Sequence, residues 1–137
     1  MLPDPERVAE TRSWLGKAAE DLRAAEFEME ADPPLFGDVL FHAQQAVEKV
    51  MKAHLAWYDV RFRKTHDLSE LGRQCASVDA SLGPLCHEAI GLTVYAWIYR
   101  YPGDPEPPTR DDALEALGLA RQVFEGVVGR LPFETRP

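Results

Sequence analysis

Residues 41–58 read FHAQQAVEKVMKAHLAWY, and neither glycine nor proline interrupts them. Apolar side chains recur at steps of three and four through this stretch and just before it, which is the spacing of one face of an α-helix. That face consists of Leu40, Ala43, Val47, Val50 and His54, thickened by Val39, Ala46 and Ala53. The spacing predicts an amphipathic helix whose apolar face packs into a core.

The same helix has a second, polar face. His42, Gln45, Lys49 and Lys52 recur at i, i+3, i+7 and i+10, so they lie on one side of the helix. The simplest interpretation of such a row is a solvated surface. The alternative is a row of hydrogen-bonding and cationic groups that binds an anion.

The preceding segment has the marks of a long helix. Asp4 can cap its N-terminus and Pro5 suits the first helical position. Apolar residues then follow at heptad-like spacing, at Val8, Leu15, Ala18, Leu22, Ala25 and Met29. Because Pro33 and Pro34 end this helix shortly before the next begins, we expect the two to form an antiparallel hairpin.

The segments after Tyr58 complete an all-α fold. We expect a basic loop at 59–66, a short helix capped by Asp67, a helix from Pro84 to about Tyr99 and a last helix capped by Thr109. The helix at 84–99 is apolar nearly all round, which predicts a central position in a bundle or a covering partner subunit. The overall prediction is an antiparallel up-and-down helical bundle of four long helices plus one short helix. Residues 1–137 are expected to form a single domain with a flexible tail.

Composition and charge limit the class of protein. The chain is 45% hydrophobic and carries a formal net charge of −8, which opposes non-specific binding to nucleic acids or membranes but allows a local basic patch. Two cysteines without a disulfide framework suit a reducing cytosol. Since there is no signal pattern, and the apolar run Ala89–Tyr99 is too short to span a bilayer, we expect a cytoplasmic protein that does not bind membranes.

Sequence motifs for catalysis and metal binding are absent. The histidines and cysteines lack metal-ligand spacing, and there is neither a Gly-x-Ser-x-Gly motif nor a glycine-rich phosphate loop. We therefore predict no catalytic residue, no metal and no cofactor. His54 is interpreted as a satisfied core or interface histidine, the two cysteines as inert thiols, and Glu26, Glu28 and Glu30 as capping or solvated residues.

One group of residues remains as a candidate binding site. Much of the positive charge lies on the polar row, in the loop at 59–66 and around Arg100. Gathered at one place, arginine, lysine, histidine and tyrosine side chains would suit a phosphate or a nucleotide. The alternative is that the polar row, the loop at 59–66 and the loop at Arg100 lie apart on the surface and form no common site. The predicted ligand-binding residues are His42, Gln45, Lys49, Lys64, His66, Arg100 and Tyr101.

Four segments, in order, resemble the HEPN superfamily (higher eukaryotes and prokaryotes nucleotide-binding). They are WLGKAAEDLRAAEF at 14–27, FHAQQAVEKVMKAHL at 41–55, RKTHDLSELG at 63–72 and YRYPGDPEP at 99–107. The resemblance implies a compact helical bundle that usually forms homodimers and is frequently paired with a small nucleotidyltransferase encoded next door. It also implies nucleotide binding and, in many branches, RNA cleavage in toxin–antitoxin and defence systems.

The sequence departs from the RNA-cleaving branches at one motif. Those branches carry an arginine followed four to six residues later by a histidine at the start of a late helix, whereas here no histidine follows His87. Arg61 and His66 have that separation but lie in a loop. We therefore predict a binding module that is non-catalytic alone. The alternatives are a metal-independent RNase toxin, with His66 as base and Arg61 or Arg100 as phosphate stabiliser, and a purely structural interaction bundle.

Overall fold

The computed structural model describes residues 2–103 and 106–137, so Met1 and two residues of the predicted loop, Asp104 and Pro105, lie outside the described part. Its α-helices are α1 (Pro5–Glu30), α2 (Phe36–Trp57), α3 (Leu68–Val78), α4 (Gly83–Ala89) and α5 (Arg110–Val128). No β-strand occurs in the described residues. The predicted all-α helical bundle is therefore confirmed.

Helices α1 and α2 form the predicted antiparallel hairpin. Asp4 caps α1 by accepting a hydrogen bond of 3.0 Å from the Glu6 amide. The chain then turns, and the Leu35 amide donates to the Glu28 carbonyl at 3.0 Å. The side chains between the helices are buried, among them Leu15, Ala18, Leu22, Val39, Ala43, Val47 and Val50.

The loop after α2 returns along that helix before α3 begins. At its start the Val60 amide donates to the Leu55 carbonyl at 2.9 Å, and near its end Gln44 Nε2 donates to the His66 carbonyl at 3.2 Å. Helix α3 then runs in the same direction as α2, with Cys75 Sγ 3.5 Å from the Met51 carbonyl oxygen. The bundle is thus up-and-down except between α2 and α3, which run in the same direction. The loop that joins these two helices places His66 beside the middle of α2.

The helix expected from Pro84 to Tyr99 is broken into two parts. Helix α4 ends at Ala89, and Ile90–Ala96 form a 3₁₀ segment. Gly91 and the β-branched Thr93 and Val94 are poor α-helix formers, which explains the change. Over residues 2–103 and 106–137 the bundle therefore has three long and two short α-helices, rather than four long and one short.

The 3₁₀ segment is also not central to the bundle. Leu92 is its only buried residue, whereas Trp97, just beyond it, is 54% exposed. The prediction of a central helix is wrong for the single chain. Cover by a partner subunit, the other alternative, stays a prediction.

Helix α5 begins with a capping box and leads to a packed C-terminus. The Thr109 hydroxyl accepts from the Asp112 amide at 3.1 Å, and the Asp112 carboxylate accepts from the Thr109 amide at 3.0 Å. After α5, Thr135 is fully buried and Arg12 of α1 donates to the Glu134 carbonyl. This segment packs against α1, in contrast to the flexible tail expected from the sequence.

Candidate phosphate-binding face

The polar face of α2, defined here as residues 38, 41, 42, 45, 48, 49 and 52, lies between α1 on one side and the His66 loop with Arg100 on the other. These positions recur at three or four residues along the helix, which places them on one side. Of the predicted ligand-binding residues, His42, Gln45 and Lys49 are part of this face, and His66 and Arg100 pack against it.

The cations on the α1 side each contact a carboxylate. His42 Nδ1 lies 2.7 Å from Glu28 Oε1, and Lys49 Nζ lies 2.7 Å from Asp21 Oδ2. Burial raises the pKa of the Glu28 carboxyl above its ordinary value, although the contact with His42 opposes this effect. The expectation that Glu28 is a capping or solvated residue is therefore wrong, because it is half-buried and engaged.

On the opposite side, His66 is held by a buried carboxylate. Its Nδ1 lies 2.6 Å from Glu48 Oε1; the Glu48 side chain is 5% exposed and the His66 side chain 59% exposed. Gln44 Nε2 supports the pair by donating to Glu48 Oε1 at 3.3 Å. The other ring nitrogen of His66, Nε2, makes no hydrogen bond to a described residue. The loop thus presents a fixed imidazole whose Nε2 is available to a ligand.

Lys52 differs from the other members of the polar row because it is buried. Its Nζ lies 3.0 Å from Glu48 Oε2 and within 6 Å of two aromatic rings, 5.5 Å from the Trp14 centroid and 5.8 Å from the Phe62 centroid. Cation–π contacts of this kind favour a desolvated ammonium group. Lys52 therefore neutralises Glu48 inside the bundle and does not reach a surface ligand.

Arg100 covers the other end of the polar face. Its guanidinium carbon lies 3.7 Å from the centroid of the Phe41 ring, and its Nη1 lies 3.7 Å from Asp38 Oδ1. Phe41 and Glu48 are two helical turns apart, about 10 Å along α2. Arg100 and His66 are therefore aligned on one side of α2, with Gln45 between them, where its Nε2 donates to Gln44 Oε1 at 2.7 Å.

The remaining two predicted residues, Lys64 and Tyr101, are not part of the polar face itself. Lys64 is exposed in the loop and makes no ion pair with the described residues. Tyr101 is 77% exposed and lines a cavity of about 540 Å³ at the start of α2, together with Phe36, Gly37 and Tyr99. A Cβ on Gly37 would lie 3.3 Å from the Tyr99 Cβ, so glycine permits this close approach.

The acidic partners are the functional residues that the sequence analysis missed. Asp21, Glu28 and Asp38 each contact one of the cations, and Glu48 contacts two, so the face is nearly neutral instead of strongly positive. One signal was available: Glu48 precedes Lys52 by four residues, the spacing of a helical ion pair. Among the described residues, the donors best placed for a phosphate are the Arg100 guanidinium and Nε2 of a protonated His66, since neither donates a hydrogen bond to a carboxylate there.

Two further properties concern metals and membranes. Within residues 2–103 and 106–137 there is no group of three or more histidine, cysteine or acidic side chains that could hold a metal ion. Across the same residues, none of the helices has the length and apolar character needed to cross a bilayer.

Comparison with known proteins identifies the family. A family model described as the HEPN domain matches residues 11–131, which is most of the chain. No curated protein and no solved structure matches the sequence. The matched range contains all four segments quoted above and supports a helical module related to nucleotides or RNA. The chain therefore belongs to the HEPN domain family.

Proposed function

We propose that this chain binds the phosphate groups of a nucleotide or of RNA on the polar face of α2, and that it is not catalytic alone. The observation that carries this proposal is the alignment of Arg100 over Phe41 and His66 on Glu48, two turns apart. Guanidinium and imidazolium groups are strong donors to phosphate oxygens. The tyrosine-lined cavity beside Arg100 suits the base of the same ligand.

The neighbouring acids favour a ligand with concentrated negative charge. Four carboxylates lie along the face, and the chain carries a net charge of −8. An anion with little charge gains too little electrostatic attraction from Arg100 and His66 to overcome the repulsion by these carboxylates. A nucleotide with several phosphates, or an RNA strand, carries acceptor oxygens over a longer span, so it can reach both donors although they lie two turns apart on α2. It also displaces Asp38 from its 3.7 Å contact with Arg100.

A thermal-shift measurement tests the proposal. The chain is heated with nucleoside triphosphates and with short RNA. A ligand at 100 times its Kd should stabilise the fold by about 2.7 kcal/mol. We expect the shift to disappear in Arg100→Ala and in His66→Ala, and to persist in Arg73→Ala and His87→Ala, whose exposed side chains lie elsewhere.

Two outcomes would contradict the proposal. If no ligand shifts the melting temperature, the chain is a structural interaction module. If a ligand shifts it equally in Arg100→Ala and in His66→Ala, the ligand binds at another place.

A second candidate function, metal-independent RNA cleavage, is favoured by the contact between His66 and Glu48. A buried carboxylate that fixes one imidazole nitrogen leaves the other as an oriented base, as in catalytic triads. RNA carries its own nucleophile, the 2′-hydroxyl, so the protein supplies a base and a cation, and water or the protonated base gives a proton to the departing 5′-oxygen. Cleavage of RNA that is lost in His66→Ala, retained in His87→Ala and absent with 2′-deoxy substrate would establish this function.

We further propose a cytoplasmic homodimer that works with a minimal nucleotidyltransferase in a toxin–antitoxin-like pair. HEPN domains commonly act as dimers, and Val94, Trp97 and Tyr101, which lie within eight residues of one another, are exposed large hydrophobic residues that a second copy can cover. An adjacent reading frame with nucleotidyltransferase acidic motifs, and co-purification of its product with this chain, would support the pairing. A co-expressed product that does not bind the chain would argue against it.

A further inference from the structure

The two cysteines lie next to each other, although the sequence separates them by a turn and part of two helices. Cys75 belongs to α3 and Cys86 to α4. Both are free thiols, 0% and 4% exposed respectively. Both side chains are part of the buried core, at the place where α3 packs against α4. Neither contributes to the proposed phosphate-binding face.

A glycine brings the two helices together at this point. Gly72 precedes Cys75 by three residues, so the two share one side of α3. A Cβ on Gly72 would lie 3.2 Å from the Cys86 Cβ. Because Gly72 has no Cβ, the backbone of α3 can lie directly against the Cys86 side chain. This close approach of the two helices brings Cys75 and Cys86 near each other.

The two thiols differ in access from solvent. Cys86 lines a cavity of about 120 Å³ between α3 and α4, with Gly72, Ala76, Gly83 and His87 among the other lining residues. Cys75 does not line this cavity, and its sulfur faces the Met51 carbonyl at 3.5 Å. A molecule the size of a peroxide can reach Cys86 first, with Cys75 directly behind it.

The two thiols also differ in acidity, in the same order. The neighbouring Cys75 thiol and the positive charge of Arg130 lower the pKa of the Cys86 thiol, against the opposing effect of burial. The contact with Cys86 and burial raise the pKa of the Cys75 thiol. Because Cys86 is the thiol that lines the cavity, and because the thiolate is the reactive form, we expect Cys86 to be the nucleophile of the pair.

We propose that Cys86 and Cys75 form an oxidisable dithiol, which hydrogen peroxide converts into an intramolecular disulfide. The Cys86 thiolate attacks one peroxide oxygen, the O–O bond breaks, and a sulfenic acid forms with release of hydroxide. The Cys75 sulfur then attacks the Cys86 sulfur. The S–S bond forms as the S–O bond breaks, and the departing hydroxide takes the Cys75 proton to become water. The two thiols lose two electrons, and the peroxide is reduced to two molecules of water.

Peptide mapping of the full chain tests the product. The wild type is treated with hydrogen peroxide, alkylated and digested without reductant. The expected result is a peptide pair linked through Cys75 and Cys86 within one chain, which dithiothreitol separates. Two thiols that remain alkylatable, separate sulfinic acids, or a link between two chains would each overturn the proposal.

A pair of single variants tests the order of reaction. With dimedone present during oxidation, Cys75→Ser should be labelled at Cys86 about tenfold more than Cys86→Ser is labelled at Cys75. Equal labelling of the two, or stronger labelling of Cys75, would overturn the assignment of Cys86 as the nucleophile. The wild-type peptide map uses no variant, so it decides the main point even if a serine variant fails to fold.

Discussion

At the scale of single residues, the molecule depends on one buried carboxylate. Glu48 accepts from Gln44, Lys52 and His66, and these three donors lie within 3.3 Å. Burial of a charge is costly unless such partners compensate for it. Glu48 therefore connects the core, where Lys52 lies, to the exposed imidazole of His66.

Removal of this carboxylate should destabilise the fold strongly. Glu48→Ala leaves Lys52 charged and buried without its acid, for which we expect a loss of about 3–5 kcal/mol in the free energy of unfolding. Urea denaturation measures this loss. Glu20→Ala, in the exposed Lys17–Glu20 pair, is the control and should change stability by about 0.5 kcal/mol or less. A similar small change in Glu48→Ala would contradict this account.

His54 provides a second residue-scale prediction, for pH dependence. It is fully buried, and neither ring nitrogen has a hydrogen-bond partner among the described residues, so it is not the satisfied histidine expected from the sequence. Burial lowers its pKa below the ordinary value of 6.5, while Asp79 opposes this and Arg130 adds to it. The unfolded chain thus takes up a proton at a higher pH than the folded chain.

The free energy of unfolding should therefore decrease as the pH falls below 6.5, by up to about 1.4 kcal/mol per pH unit, because the unfolded chain binds a proton at His54 that the folded chain does not. We expect His54→Leu to remove this part of the pH dependence and the exposed His87→Leu to retain it, as measured by urea denaturation from pH 7.5 to 5. The pKa of Glu28 is raised in the folded chain, so protonation of Glu28 stabilises the fold at low pH. This effect is the same in wild type and in both variants, so it cancels when their pH slopes are compared. Equal pH slopes in wild type and His54→Leu would rule out this role.

At the scale of helices, two glycines in equivalent mid-helix positions should respond in opposite ways. A Cβ on Gly72 of α3 would meet the Cys86 Cβ at 3.2 Å, whereas a Cβ on Gly118 of α5 would meet nothing within 4 Å. Alanine is the better helix former by about 1 kcal/mol, but overpacking costs about 1–3 kcal/mol. We expect Gly118→Ala to raise the melting temperature and Gly72→Ala to lower it. A rise in both would mean that α3 and α4 can move apart freely.

The helices themselves were largely predictable, because the information is local. Asp4, Asp67 and Thr109 cap the helices that the sequence assigned to them, and the spacing of apolar residues identifies the buried side of α2. A single helix was predicted at 84–99 because the segment is apolar nearly throughout. Its poor helix formers, Gly91, Thr93 and Val94, indicate the change to a 3₁₀ segment that the structure has.

The candidate site was less predictable, because its contacts depend on how helices are rotated against each other. Lys49 pairs with Asp21, 28 residues away, and His66 pairs with Glu48, 18 residues away. No sequence spacing specifies such pairs. The sequence therefore indicated which cations lie near α2 but not that each of them has a carboxylate beside it.

At the scale of the whole molecule, the exposed residues in and just after the 3₁₀ segment should form the interface of the proposed homodimer. We expect Trp97→Lys to shift a micromolar dimer towards the monomer, because a charge would have to be buried in the interface. Phe27→Lys, which changes a comparably exposed aromatic residue on α1, is the control and should leave the dimer intact. Sedimentation velocity measures both. A wild-type monomer, or dissociation only in Phe27→Lys, would contradict the proposed surface.

The 3₁₀ winding of Ile90–Ala96 also determines how far the chain reaches. This segment has seven residues and rises about 2.0 Å per residue instead of 1.5 Å, so it is about 3.5 Å longer than an α-helix of the same residues. It leads from Cys86, packed against Gly72, towards Tyr99 beside Gly37 and Arg100 over Phe41. A regular α-helix of the same seven residues would end about 3.5 Å sooner, before the turn at Tyr99 that leads to Arg100. The poor helix formers of this segment thus affect where the turn that carries the arginine begins.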